Sequence, residues 1–404
     1  MQRTWRILGI LAFTQILSWG ALYYAFSILA PFIGQTLGMR AEIVYGAFSW
    51  SLLVAGLVAT PTGVLLDRLG GQWVMAAGSL VCGLGLIWLS KAAGPLSYFG
   101  AWTVLGVAMS LTLYEAAFAT INRKFDHDSR KTISTLTLFA GFASTIFWPL
   151  TLALNTAIGW RDTYLLFGAG QLVLCLPLHL MMGKDGTSTD AAPGHLVHHH
   201  TLAEALRHHA FWKLAAAFAA NMFIFSALSV HLIPLLQDFG HAASIAVLMS
   251  TLIGPMQVIG RICERTFARN AMPQQVGMFT FGALPAAVVA LLLFGSQAWA
   301  VAVFCVLYGL SNGILTIVRG TIPQAMFGRK NYGAISGAMA GPSLLAKAAG
   351  PLVAAAILRN YVAPAPLLYV LLSMSIISLA FYIGAVKTRD KPDLSFSKTD
   401  NRPS

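Results

Sequence analysis

The sequence predicts an all-α polytopic membrane protein, with twelve transmembrane helices in two pseudo-symmetric six-helix halves. Three observations carry this expectation. Apolar residues fill 57% of the 404 positions and charged ones only 10%, with a mean hydropathy of +0.71; that is too little charge for a soluble surface. The apolar segments are continuous runs of about 20 residues and not ten-residue alternations, which excludes a β-barrel. The cations between the runs are distributed unevenly.

Of the 26 Lys and Arg residues, Arg40, Lys91, Arg161 and Arg359 fall on one predicted face, while Arg261, Arg319 and Lys347 lie inside the runs. The rest fall on the other face. This positive-inside bias puts both termini in the cytoplasm, with a bacterial inner (cytoplasmic) membrane as the expected location. The net charge of +12 is therefore a topology signal, and no nucleic-acid partner is expected.

The runs occupy 6–33, 43–65, 73–92, 97–121, 132–156, 163–182, 211–237, 242–263, 276–295, 298–320, 332–358 and 364–386. The first (Ile7 to Ile33) is too long for a signal-peptide core and reads as a retained span. Residues 183–210 form the longest polar stretch and end in Thr201-Leu-Ala-Glu204, a capping-box pattern that starts a short helix. The expected organisation is a six-helix half at 1–182 and a cytoplasmic linker with a short helix at 183–210. A second six-helix half at 211–386 and a cytoplasmic tail at 387–404 complete it. The linker histidines (195, 198, 199, 200, 208 and 209) include no helical i, i+4 pair with a nearby cysteine, so they read as solvated and no metal is expected. Cys82, Cys175, Cys263 and Cys305 read as small core residues. No phosphate-binding loop or nucleophile–base motif occurs; an enzyme and a cofactor are not expected.

The halves repeat. Sliding the second onto the first by 202 positions aligns Pro351-Leu352 with Pro149-Leu150, Phe327 with Phe125, and Gly240 with Gly38. Pro234 meets Pro31 after one further residue of slip. Parallel duplication is a transporter plan, with the binding site between the halves near mid-membrane. In this register Lys347 answers to Thr145 and Arg261 to Ala59, so these charges belong to the second half alone.

Lys347 stands roughly 20 Å from either end of its Gly-rich run, close to the bilayer midplane. An ammonium there costs at least ~2.5 kcal/mol, so it should face an aqueous cavity or an anion. Arg261 lies about 6 Å inside Arg265; it either reaches the cavity or snorkels to the cytoplasmic face. Together the two cations suit a small mono- or dicarboxylate. Glu115 lies about 12 Å from Arg123 at the cytoplasmic end, and Arg319 sits at similar depth. The pair either closes the cytoplasmic side across the halves or is a static hydrogen bond, and an unpaired Glu115 is a candidate proton carrier. Tyr23, Trp148 and Gln257 are the leading polar and aromatic candidates for the cavity wall. Tyr24, Tyr114, Asn221, Tyr308 and Asn312 read equally as helix-joining residues.

After the second run comes Gly63-Val-Leu-Leu-Asp67-Arg68-Leu-Gly70-Gly71-Gln72-Trp73. It resembles the G-x-L-x-D-R-x-G-R/K-R/K signature of the major facilitator superfamily, with Gly71-Gln72 in place of the basic pair. Asp67 is placed to cap or pair at a neighbouring helix end and Arg68 to sit on the cytoplasmic face. A narrower resemblance is to the monocarboxylate and oxalate–formate branch. It rests on Trp19-Gly20 with Tyr23-Tyr24 and Phe26, on Arg130 with Gly141, Ala143 and Pro149, and on Gly260-Arg261 and Lys347. The branch's first-helix acidic signature is missing. The resemblance implies the major facilitator fold, and Arg261 and Lys347 as binders of substrate carboxylate. The expected function is alternating-access transport of a small organic anion, by proton symport or anion antiport, as a monomer in the bilayer. The alternative is proton-driven export of an amphipathic compound.

Overall fold

A computed structural model describes residues 2–125, 128–183, 200–268, 271–361 and 363–389. His195, His198, His199 and the tail beyond 389 lie outside the described residues. Eleven helical stretches are long and apolar enough to cross a membrane. One of them, Ser129–Leu180, is 52 residues long and contains two crossings, because Gly159 breaks its helix. With φ at 78° Gly159 takes a left-handed conformation that a side chain disfavours, and the chain reverses there. The result is twelve spans, and no strand occurs among the described residues.

In order, the first four spans are Thr4–Leu37, Ala41–Leu69, Gly71–Ser90 and Pro95–Lys124, and the divided stretch supplies the fifth and sixth. The seventh to ninth are His209–Asp238, Ser244–Phe267 and Pro273–Phe294; the tenth to twelfth are Ala298–Phe327, Tyr332–Asn360 and Ala365–Lys387. An even number of crossings brings both ends of the bundle to one side, called below the terminal end; the opposite side is the distal end. Ahead of the seventh span, Leu202–Arg207 is a short helix with a complete capping box. Glu204 N–H donates to Thr201 Oγ1 and Thr201 N–H to Glu204 Oε2, at 3.2 and 2.8 Å. The segment is tied to the second half, where Asn331 Nδ2 donates to the His200 carbonyl.

The tightest contact between the halves joins the second and eleventh spans. Gly333, Gly337 and Gly341 of the eleventh face Gly63, Ala59 and Gly56 of the second. A Cβ added at Gly63 would collide with the Gly333 carbonyl, and one at Gly337 with that of Ala59. Small residues thus let two backbones approach where lipid offers no hydrophobic force of its own.

The apolar clusters show how far the halves are joined. Toward the terminal end, one cluster takes residues of both halves: Ile317 and Tyr332 pack with Leu66, Val74 and Ile121. Toward the distal end, Phe26, Trp102 and Tyr164 belong to a first-half cluster, and Leu235, Phe304 and Leu371 to a separate second-half one. The bundle is closed at one end and divided at the other.

Candidate functional site

Two carboxylate-centred seams help to close the terminal end, beside the hydrogen bonds of Arg329 to the Asn122 and Phe125 carbonyls. In the first, the Asp67 carboxylate accepts the backbone N–H groups of Gly333 and Ala334 at 2.9 and 2.7 Å. These are first-turn donors of the eleventh span, which have no partner within their own helix and favour a negative charge. Arg123 donates to the carbonyls of Leu66 and Asp67 and holds the turn in place. Arg68 is exposed and makes no hydrogen bond or ion pair among the described residues.

The second seam joins the fifth and eighth spans. Arg130 donates to Glu264 Oε1 through Nε and Nη2, at 3.0 and 2.7 Å, and Ser134 donates to Glu264 Oε2 at 3.1 Å. Arg130 also donates to the carbonyls of Ala268 and Ala271. Glu264 is buried, and an enclosed carboxylate with a guanidinium and a hydroxyl on its oxygens is fully committed.

About 12 Å inward of the terminal ends of the fourth and tenth spans, Arg319 Nη2 donates to Glu115 Oε1 at 2.7 Å, with both side chains about three-quarters buried. The fourth span is not one helix here. It breaks at Leu113, which is extended, and a new helix Tyr114–Lys124 begins with Glu115 in its first turn. Gln15 of the first span donates to the Thr112 carbonyl beside the break, the kind of repair that buried irregular backbone requires. The cleft beside the pair, lined by Tyr114, Phe118, Phe218 and Met339, encloses about 20 Å³. That holds about one water and no substrate.

Lys347 lies farther in. Its Nζ stands 4.2 Å from the centre of the Tyr23 ring and 5.8 Å from that of Trp19, both in the first span of the other half. No carboxylate or hydrogen-bond partner engages it among the described residues. The first span winds as a π-helix over Gly20–Tyr24, an irregularity found often at functional sites. Gly20 makes room for Phe147 there. Tyr23 also packs on Phe48, and Trp19 on Tyr114, with ring centres 5.3 and 5.0 Å apart. Trp148 of the fifth span meets Tyr24 edge to face at 5.9 Å and donates to Ser27 Oγ.

Arg261 turns inward toward the first half. It is 6% exposed, so it does not snorkel. It crosses to the first half, where Nη1 donates to the Thr137 carbonyl at 2.9 Å. Helix Ser129–Ala140 ends there and the fifth span resumes at Ala143. The carbonyl end of a helix favours a cation, and Gly141 leaves the space the guanidinium fills. The Nε of Arg261 is enclosed without a hydrogen-bond partner. The guanidinium lies within electrostatic reach of the Tyr24 and Tyr114 hydroxyls. The aromatic group of the first and fourth spans therefore touches Lys347 and neighbours Arg261. Gln257 is half-buried; its main chain packs against Gly313 and its side chain makes no hydrogen bond among the described residues.

The sequence places Glu115 deep in a span. Glu264, one turn from the end of the eighth span, is buried as well, beneath groups of the facing half. Arg130 appeared in the sequence only as part of a family resemblance. Its partner had one available signal, a carboxylate one turn from Gly260-Arg261 on the terminal side.

Twelve spans, a duplicated frame and ionised groups gathered between the halves define a membrane carrier rather than an enzyme. The family model described as Major Facilitator Superfamily matches residues 11–339, and the chain belongs to that superfamily. Among its relatives is an uncharacterized 38 kDa protein of Thermoproteus tenax, 27% identical over 368 residues that cover 85% of this chain and 92% of that one. Monocarboxylate transporter 4 of Gallus gallus is 23% identical over 347 residues, covering 81% and 72% of the two chains. The Escherichia coli fucose:proton symporter FucP superposes with a TM-score of 0.70 at 14% identity, covering 94% and 98%.

Proposed function

We propose that this protein is a secondary active transporter of a small organic anion, a mono- or dicarboxylate, and that Lys347 receives the carboxylate. The observation that carries this reading is an amine at mid-membrane that faces the opposite half and has aromatic rings, but no protein carboxylate, against it. A desolvated cation–π contact supplies about 2 kcal/mol, whereas a charge at the bilayer centre costs ~2.5–3.5 kcal/mol. An arriving carboxylate closes that gap. The monocarboxylate transporters among the relatives support the same substrate class.

On this reading the terminal end is cytoplasmic, and the seams hold it shut while the distal side admits substrate. Arg261, with an enclosed donor to spare, is the second cation for the anion once the fifth and eighth spans shift. The coupling is proton symport or anion antiport, with Glu115, once released from Arg319, as the candidate proton carrier.

The test is a thermal-shift screen of the purified protein against small carboxylates. A ligand at a hundred times its Kd stabilises the native state by ~2.7 kcal/mol, and Lys347→Ala is expected to abolish that shift. An anion response that survives in Lys347→Ala would overturn the assignment. Accumulation of cationic dyes in a deletion strain, restored to normal equally by wild type and Lys347→Ala, would point to amphipathic export instead.

A further inference from the structure

One concavity of the bundle lies away from the interface between the halves. It is a groove of about 510 Å³ on the outer surface of the first half, between the first and sixth spans. Its walls are Gly9, Ile10 and Phe13 on one side and Val173, Leu174 and Pro177 on the other, and they are almost wholly apolar. Trp5 and Arg6 stand at its terminal-end mouth. Along the first span, Arg6 to Phe13 is about 10 Å.

Three features make this more than the ordinary lipid-facing surface of a span. The sixth span widens into a π-helix over Gln171–Cys175, directly at the groove wall, and Pro177 follows. Gly9 has nothing within 4 Å of where a Cβ would sit, so the hollow is open at its floor. The second half carries a bulky side chain at the matching place. Its buried residues Ala210, Phe211, Leu214 and Ala215 repeat Ile7, Leu8, Leu11 and Ala12 of the first span. In that register Gly9 answers to Trp212, whose indole donates to the Leu206 carbonyl.

The mouth is chemically specific. Arg6 is exposed and donates one long hydrogen bond, 3.4 Å, to the Met181 carbonyl. Its remaining donors point to no protein acceptor among the described residues. Trp5, 60% exposed, is the kind of ring that sits at the headgroup level. A basic residue over an apolar inter-helix groove at one leaflet is the arrangement that takes an anionic lipid headgroup.

We infer that this groove is a binding site for one anionic phospholipid, with an acyl chain between the first and sixth spans and the phosphate on Arg6. The site is separate from the path between the halves and does not depend on the transport assignment.

Native mass spectrometry of the delipidated full-length protein, titrated with phosphatidylglycerol or phosphatidylcholine of the same chains, tests it. The wild type is expected to retain one phosphatidylglycerol at least tenfold more readily than one phosphatidylcholine. Arg6→Gln should remove that preference but keep chain binding. Gly9→Trp, which copies the second half, should remove the first adduct of both lipids. Val173→Trp blocks the same groove from its other wall and serves if Gly9→Trp does not fold, and Lys213→Gln in the second half should change nothing. Equal retention of the two lipids by wild type, or an undiminished first adduct in the folded groove-filled variants, would overturn the site. So would a dimer that Gly9→Trp dissociates, because the groove would then be a contact between copies.

Discussion

Replacing Asp67 should open the terminal end, and the structure says by how much. Its carboxylate accepts two backbone N–H groups of the eleventh span. A hydrogen bond to a charged group contributes about 1.5–3 kcal/mol when buried. Asp67 is half-buried, and in the open arrangement the freed donors regain water. The differential loss in Asp67→Ala is therefore about 2 kcal/mol, roughly a thirtyfold shift of the closed–open ratio. Asp67→Asn keeps an acceptor oxygen without the charge and should fall between. Spin labels at Arg68 and Lys330, which are exposed on opposite halves at this end, report the separation by double electron–electron resonance once the native cysteines are replaced. Wild type should give one short distance, with a longer one growing in the order Asp67→Asn, then Asp67→Ala. An unchanged distribution in Asp67→Ala would refute the idea that this cap holds the halves together.

Three other outcomes follow from the same geometry. Transport should fall in Glu115→Arg and in Arg319→Glu and return partly in the double exchange; failure of the exchange to rescue in an uptake assay would count against a gate. In the second seam, Arg130→Ala and Glu264→Ala should each cost about 3 kcal/mol, and the double variant well under their sum. A coupling near zero in a denaturation cycle would show that the pair acts as two independent residues. Tyr23→Leu should lower the thermal stability of the empty protein by about 2 kcal/mol, because it removes a desolvated cation–π contact. It should also enlarge the stabilisation by bound carboxylate, and an unchanged ligand response would mean that the ring does not compete with substrate for Lys347.

The spans could be read because bilayer thickness dictates the length of an apolar run, a constraint that local sequence cannot override. Depth arithmetic on two unbroken predicted helices likewise placed Glu115 and Arg319 at one level. What the residues did not reveal was where those helices fail. Nothing around Leu113 marks a break, since no Pro or Gly adjoins it; the interruption depends on Gln15, 97 residues away, reaching the Thr112 carbonyl. The π-helix at Gly20–Tyr24 depends in the same way on Phe147 pressing against Gly20. Arg261 was undecidable for a related reason. Its acceptor is a main-chain carbonyl beside the fifth-span break, and no side-chain pattern announces a free carbonyl. Glu264 looked peripheral by linear distance, yet Arg130 and Ser134 of the other half cover it.

The two seams are one arrangement used twice with different chemistry. In the repeat register, Gly333 and Ala334 answer to Lys131 and Thr132, the residues next to Arg130. Each seam thus brings a carboxylate from near the end of one span to the start of a span in the other half. Asp67 finds bare helix donors there, whereas Glu264 finds a guanidinium. Glu115 is taken by Arg319 between them. Closing the terminal end in this way commits each acid so far placed between the halves, and Arg261 gives one donor to the Thr137 carbonyl. Lys347 is left as a cation with neither a carboxylate nor a hydrogen-bond acceptor among the described residues. If the distal end is where solutes enter, the negative charge that settles this amine has to come from there, and its arrival changes the electrostatic balance across the same closed interface. Coupling between binding and opening then needs no dedicated relay, because Lys347 rests on Tyr23 of the opposite half and an anion that draws it away also alters how the halves hold each other.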